Sequence, residues 1–381
     1  MEKKKVKVKL LEKAVPVAIV LALALLVLGN FMLYERGIKV AEAKAIMEEE
    51  LRPAELELVK IVSENCDSCF DIEEAIENLK TQNVDIMNEE TISSDSQQGR
   101  EFISKYNIQK LPTIIVTGEI EKSEQLVNYF EQQGEIKEDR FIFTALVPPY
   151  LDSTTNQIKG LVNIKHIIDS SCADCVDLTP ISSALQEQGL FVKDEQSIEY
   201  NSNEGKELIN RFDIKEVPAV LISEEVDYYP EIKDALLQSG ATKKEGFYAV
   251  HSTLPPYRDL AQNKIVGLVD VVYLTKEDCP VCYDASVNRN ILLRFGMALD
   301  EENTYDINSP EGKQLVQKYG IEKVPIIILS PDSEYYPSLV QAWKSVGTIE
   351  NDGWFVMRKP EVIGTYWDLK NGRVVQQQAQ Q

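Results

Sequence analysis

Histidine is nearly absent from this chain: His166 and His251 are the only two among 381 residues. Cysteine is scarce, and none of the six stands alone; they form the Cys-x-x-Cys pairs Cys66/Cys69, Cys172/Cys175 and Cys279/Cys282. Structural disulfides would be scattered at long range in a chain exposed to an oxidising exterior. A two-residue loop staples almost nothing. Cys-x-x-Cys is also half of a zinc site, and zinc is the alternative reading. Three pairs cannot all find a second half-site, and two histidines do not make up the difference. The pairs therefore read as redox dithiols, with no metal and no organic cofactor expected.

Clustered basic residues are missing beyond residue 13. Residues 1–13, MEKKKVKVKLLEK, carry six lysines and two glutamates. With that +4 set aside, the net charge of −22 becomes −26 on the remainder. Nothing basic is left to meet phosphates, so nucleic acid is not an expected partner. The acidic excess reads as a solvated shell. Residues 14–34, AVPVAIVLALALLVLGNFMLY, hold no charge at all. As a helix of 1.5 Å rise they would span about 31 Å, the thickness of a bilayer's hydrocarbon core. The lysines before them place the N-terminus in the cytoplasm and the chain after Tyr34 outside. A cleaved leader would need a small-x-small site close by, whereas Ala41-Glu42-Ala43 lies past Glu35, Arg36 and Lys39. The expectation is an uncleaved anchor, a helical stalk over 35–54 and a disordered tail over 376–381.

What the chain does have is a repeat. KYNIQKLPTIIV (105–116), RFDIKEVPAVLI (211–222) and KYGIEKVPIIIL (318–329) each follow a cysteine pair. Pro112, Pro218 and Pro325 stand 46 residues after Cys66, Cys172 and Cys279. Between them, in gapless register, come Ser96/Ser202/Ser309, Gly99/Gly205/Gly312, Tyr106/Phe212/Tyr319 and Ile108/Ile214/Ile321. Spacings of 106 and 107 residues suit one small domain per copy and exceed a solenoid repeat. Three domains follow: 55–157, 158–263 and 264–375.

The third copy shows the pattern within a domain. An apolar strand (266–275) leads to Cys279, and a helix is expected from there to about Phe295. A strand is expected near 303–307. Ser309 reads as an N-cap with Pro310 in the first turn, and Gly320 as the helix stop. Pro325 opens the strand IIIL, with EYYP (334–337) as its hairpin partner, and 339–347 form a last helix. The order β, α, β, α, β, β, α gives a small mixed sheet covered by helices. The segments FIFTALVPPYLD…NQIKG, FYAVHSTLPPYRD…NKIVG and WFVMRKPEVIGTYWD…NGRVV read as added hairpins linking successive copies.

A Cys-x-x-Cys followed by a proline at a strand entry resembles the thioredoxin fold, and the tandem layout resembles that of protein disulfide isomerases. The resemblance covers about 55–370. It implies α/β domains in which a cysteine pair at a helix N-terminus faces a cis-proline. Cys66, Cys172 and Cys279 would be nucleophiles, favoured as thiolates by the helix end, and Cys69, Cys175 and Cys282 resolving thiols. The backbone of Leu111–Pro112, Val217–Pro218 and Val324–Pro325 would receive an extended substrate as an added strand. The implied partners are proteins with thiols or disulfides and a membrane or soluble redox partner.

Two departures stand out. No tryptophan precedes any pair, and the buried acid that such proteins place six residues before the first cysteine is replaced by Lys60, His166 and Tyr273. His166 is the candidate proton relay, since imidazole titrates near 6.5. The residues between the cysteines also differ: Asp67-Ser68 and Ala173-Asp174 bring a carboxylate, whereas Pro280-Val281 does not. With Pro280 at the first helical position, Cys279 is expected to be the most acidic nucleophile. A scaffold or chaperone with slow or vestigial dithiols is the alternative function.

Overall fold

The computed structural model describes residues 2–252 and 254–376, with side chains described from Leu26 onward except Val27. Helix α1 (Glu2–Leu51) is unbroken over 50 residues. Residues 14–25 and Val27 of the expected span have no described side chains, and most of the tail, 377–381, lies outside the described residues. Among those described, no helix is long and apolar enough to cross a membrane. α1 stops ahead of Pro53, which cannot continue a helix. Arg52 then reaches across to Glu119, at 2.6 Å and 2.9 Å, and holds its carboxyl down to about 2.

The first copy comprises β1 (Ala54–Val62), α2 (Ile72–Lys80), β2 (Val84–Ser93), α3 (Gln97–Tyr106), β3 (Lys110–Leu111), β4 (Thr113–Gly118), α4 (Glu124–Gln133), β5 (Gly134–Lys137), β6 (Arg140–Phe143), β7 (Tyr150–Asp152) and β8 (Gln157–Lys159). Five strands form a mixed sheet in the order β2-β1-β4-β6-β5. β1 runs parallel to β2 and antiparallel to β4. The short β3 joins β7 and β8 in a separate sheet of three. The same two sheets recur in each later copy, the larger over 162–251 and 268–357. By compactness the chain parts into two bodies, Met1–Ile158 with one copy and Lys159–Gln381 with two.

Strand alternation turns successive side chains of a central strand to opposite faces of the sheet. In the second copy, Val220 and Ile222 pack with Leu185, Ile232 and Leu236 on one face. Their neighbours Ala219 and Leu221 pack with Leu208 and Phe212 on the other. The sheet is thus sandwiched between helices Pro180–Glu187 and Pro230–Gln238 on one side and Asn203–Phe212 on the other.

The repeated Ser and Gly have a mechanical reason. Ser96, Ser202 and Ser309 cap their helices by accepting from the N–H of Gly99, Gly205 and Gly312, at 2.9, 2.9 and 3.0 Å. Each glycine lies against the end of the preceding strand. A Cβ there would stand 2.2, 2.1 and 2.0 Å from the carbonyl oxygens of Ser93, Glu199 and Asp306. The helices close at αL residues Asn107, Asp213 and Gly320.

Three expectations change. The last helix precedes the last two strands of the central sheet: Pro337–Val346 comes before Gly347–Ile349 and Phe355–Met357. IIIL pairs with Phe355–Met357, while Pro331–Tyr335 is a 3-10 turn and Pro337 starts the helix, where a missing N–H costs nothing. Only the later part of each linking segment is an added hairpin, because FIF, FYAVH and FVM are strands of the central sheets.

Candidate functional site

Each cysteine pair is a disulfide, with Cα atoms 5.3 Å apart in the first copy and 5.4 Å in the other two. The pairs lie in tight turns between strand and helix. Cys69 N–H donates to the Cys66 carbonyl at 3.3 Å, and Cys282 to Cys279 at 3.1 Å. The helices start later, at Ile72, Pro180 and Val287. This corrects the expectation of cysteines at a helix N-terminus. A helix end acts within its first turn, and each pair lies ahead of that turn. The delay has a sequence cause that went unread: an aspartate two residues after each pair, Asp71, Asp177 and Asp284. Its carboxylate accepts the N–H of Glu73, Thr179 and Ser286, at 3.0, 2.9 and 2.9 Å, and turns the chain before the helix begins. Pro280 is consequently not a helical residue, and Cys279 is buried at 6% exposure. The helical-position reason for ranking Cys279 first is gone, and the absence of a carboxylate between its cysteines is what remains.

The bonds Leu111–Pro112, Val217–Pro218 and Val324–Pro325 are cis. The side chains before the prolines are buried in the core. In the second copy Cys172, Cys175, His166 and Pro218 line one cleft of about 280 Å³. In the third, the Tyr283 hydroxyl donates to the Pro325 carbonyl at 2.9 Å, and burial pushes that phenol up to about 12. In the first, Cys69 packs against the cluster that holds Leu111.

The backbone before each proline is not open. Leu111 pairs with Leu151, Val217 with Arg258 and Val324 with Trp367, all antiparallel. Two residues earlier, Gln109, Lys215 and Glu322 accept from Ser153, Leu260 and Leu369 at 2.9, 2.9 and 2.8 Å. Hydrogen-bonded pairs recur at every second residue of an antiparallel ladder. The pre-proline residue therefore turns both backbone groups to the added hairpin. The same hairpins reach the cysteines: Phe70, Val176 and Tyr283, next after the pairs, donate to the carbonyls of Pro149, Pro256 and Thr365 at 2.7, 3.1 and 2.9 Å.

Lys60, His166 and Tyr273 share an unforeseen partner. Each meets a glutamate from the neighbouring strand: Lys60 with Glu89 at 2.7 Å, His166 Nε2 with Glu195 at 2.7 Å, and Tyr273 donating to Glu302 at 2.6 Å. These glutamates stand 23 residues after each first cysteine, a repeat that was legible but unnoticed. A bulge in the strand pairing lies just upstream in each copy and re-aims the following side chain. The chemistry then diverges. Lys60 also binds Glu73 at 2.7 Å, and the Glu73 and Glu89 hydrogen bonds raise its pKa. Burial, then the Glu302 hydrogen bond, raises that of Tyr273. His166 is 2% exposed, and its Nε2 also meets Ser182 Oγ at 2.9 Å. Among the described residues its Nδ1 has no hydrogen-bond partner. The Ser182 hydroxyl and then His166 hold Glu195 below the usual carboxylate range against its burial.

No family model and no curated protein matches the chain. Among solved structures, full-length ERdj5 is 13% identical, over 72% of this chain and 41% of its own, with a TM-score of 0.16. Human ERp44 form II is 12% identical over 74% and 77%, with a TM-score of 0.12. A protein disulfide oxidoreductase from Aeropyrum pernix k1 is 14% identical over 51% and 92%, with a TM-score of 0.14. The chain thus spans well under two thirds of ERdj5. Superpositions this poor leave the fold to the strand order and site geometry.

Proposed function

We propose that the chain is a thiol–disulfide oxidoreductase acting on protein disulfides through its three Cys-x-x-Cys sites. Residues 55–157, 158–263 and 264–375 are its domains, held outside the cytoplasm by an anchor over 14–34. The supporting observation is the cleft that brings Cys172, Cys175, Pro218 and a buried imidazole together. With Nε2 donating to Glu195, Nδ1 of His166 has no partner among the described residues and is placed to take a proton. In the reduced form, the Cys172 thiolate attacks a client disulfide, forms a mixed disulfide and releases one client thiolate. Cys175 gives its proton to His166 and attacks the Cys172 sulfur, closing the disulfide and releasing the second client thiol. Two electrons pass to the client, and a membrane or soluble dithiol partner restores them. Oxidation of a client dithiol is the same sequence reversed.

Turnover of insulin with dithiothreitol, followed by turbidity, tests this reading against a variant carrying Cys66→Ser, Cys172→Ser and Cys279→Ser. The expected result is a rate above the dithiothreitol background that the variant lacks. A rate at background supports the scaffold reading, which the position of the cysteines ahead of their helices also favours. Protease added to spheroplasts should digest the chain after Tyr34 and spare a tag before Met1. Protected domains would reject the external placement.

A further inference from the structure

The surface beside each disulfide where an extended chain would add as a strand is filled by the protein itself. Strand addition needs free N–H and C=O groups on a sheet edge, and the added hairpins take those of Leu111, Val217 and Val324. The filling strands are built in. Tyr150 and Leu151 are 8% and 6% exposed, and Tyr366 is 8% exposed. Leu151 and Ile158, Leu260, and Trp367 with Leu369 belong to or pack against the cores of their own copies.

Each hairpin is also fixed on its far side. In the second copy Arg258 Nε donates to Asp169 at 2.5 Å and Nη2 to Ser171 at 3.2 Å, just before Cys172. In the third, Lys276 Nζ lies 4.9 Å from the centre of the Trp367 ring, three residues before Cys279. All three copies add the hydrogen bond to the residue after the second cysteine. The cover therefore spans from the pre-proline strand to the lip of the disulfide.

We propose that these sites exchange with disulfides presented end-on, of which a low-molecular-weight disulfide is the simplest, and not with chains that bind as an added strand. This rests on the redox reading above. The step is thiolate attack on R–S–S–R, giving Cys–S–S–R and RS⁻; the second cysteine then closes the protein disulfide and frees the other R–S⁻. The two protons of the dithiol end on the two thiols, and dithiothreitol regenerates it.

The full chain, with dithiothreitol as reductant, is given three probes: bis(2-hydroxyethyl) disulfide, an extended decapeptide with a central mixed disulfide, and that peptide N-methylated on both residues flanking the cysteine. The expected result is turnover of the small disulfide and equal rates, within about twofold, for the two peptides. N-methylation removes the donors that strand pairing requires, so a client bound as a strand would slow roughly tenfold or more. That loss overturns the proposal while leaving the redox reading intact. No turnover of any probe defeats the redox reading itself.

Discussion

Glu195 lies 2.7 Å from Nε2 of His166, and among the described residues His166 Nδ1 has no partner. In a chain whose other two pairs are changed to serine, His166→Gln should slow the second site about tenfold or more, the scale of general acid–base effects. Glu195→Gln, which removes the carboxylate that holds Nε2, should slow it as well but less. Rates unchanged in both variants would reduce His166 to a packing residue.

The first and third sites should lack that dependence on the residue six before the first cysteine. Lys60 is held protonated by Glu73 and Glu89. The Tyr273 phenol is held neutral by burial and Glu302. Tyr273→Phe should change the third site's rate less than about twofold near neutrality, against about tenfold or more for His166→Gln at the second, the scale of general acid–base effects. Stopped-flow rates of single-site variants make the comparison.

Arg258→Ala should destabilise the second body strongly. The Asp169 side chain is 2% exposed and that of Arg258 11%, so the variant strands a buried carboxylate. Such losses cost about 3–5 kcal/mol. Burial raises the Asp169 pKa, but Ser171 and Arg258 outweigh it and the net shift is downward. With the folded pKa depressed, the contribution is full above the ordinary carboxylate value near 3.9 and fades as pH falls through the lower folded value. Urea denaturation should show the wild-type advantage at pH 7 shrinking in acid below about pH 4.

Gly205→Ala should cost about 1–3 kcal/mol, since the new Cβ would meet the Glu199 carbonyl at 2.1 Å. Gly37→Ala, where none of the described residues lies within 4 Å, should be neutral or slightly stabilising. Thermal denaturation of the two variants separates close approach from helix propensity.

The α/β class, the tandem copies and the Ser–Gly helix starts were legible because each leaves a residue at a fixed offset. The two sheet strands after the last helix were not, since EYYP has strand composition but is turned by Pro331 and Pro337. Nor was the helix start legible from the cysteines. Asp71, Asp177 and Asp284 set it through local carboxylate–backbone bonds, which compete with helix formation. Glu89, Glu195 and Glu302 escaped notice because exposed acidic strands usually contain glutamates for solubility. Only the strand bulge turns these three toward their partners.

The short hairpins have a bearing on how such a chain can be cut or duplicated. Gln157–Lys159 is followed within three residues by the next copy's strand at Val162, and Lys264–Val266 by Leu268. The joints Gly160 and Gly267 are gripped alike, their carbonyls accepting from Tyr229 and Tyr336 at 2.8 and 2.6 Å. A fragment ended after the central sheet, before the hairpin, would bare the backbone of Lys110–Leu111 or its counterpart. Bared strand edges recruit one another, so such a fragment should self-associate, whereas one carried through to the glycine should stay monomeric. The unit that can be copied without breeding aggregates is the sheet together with its trailing hairpin.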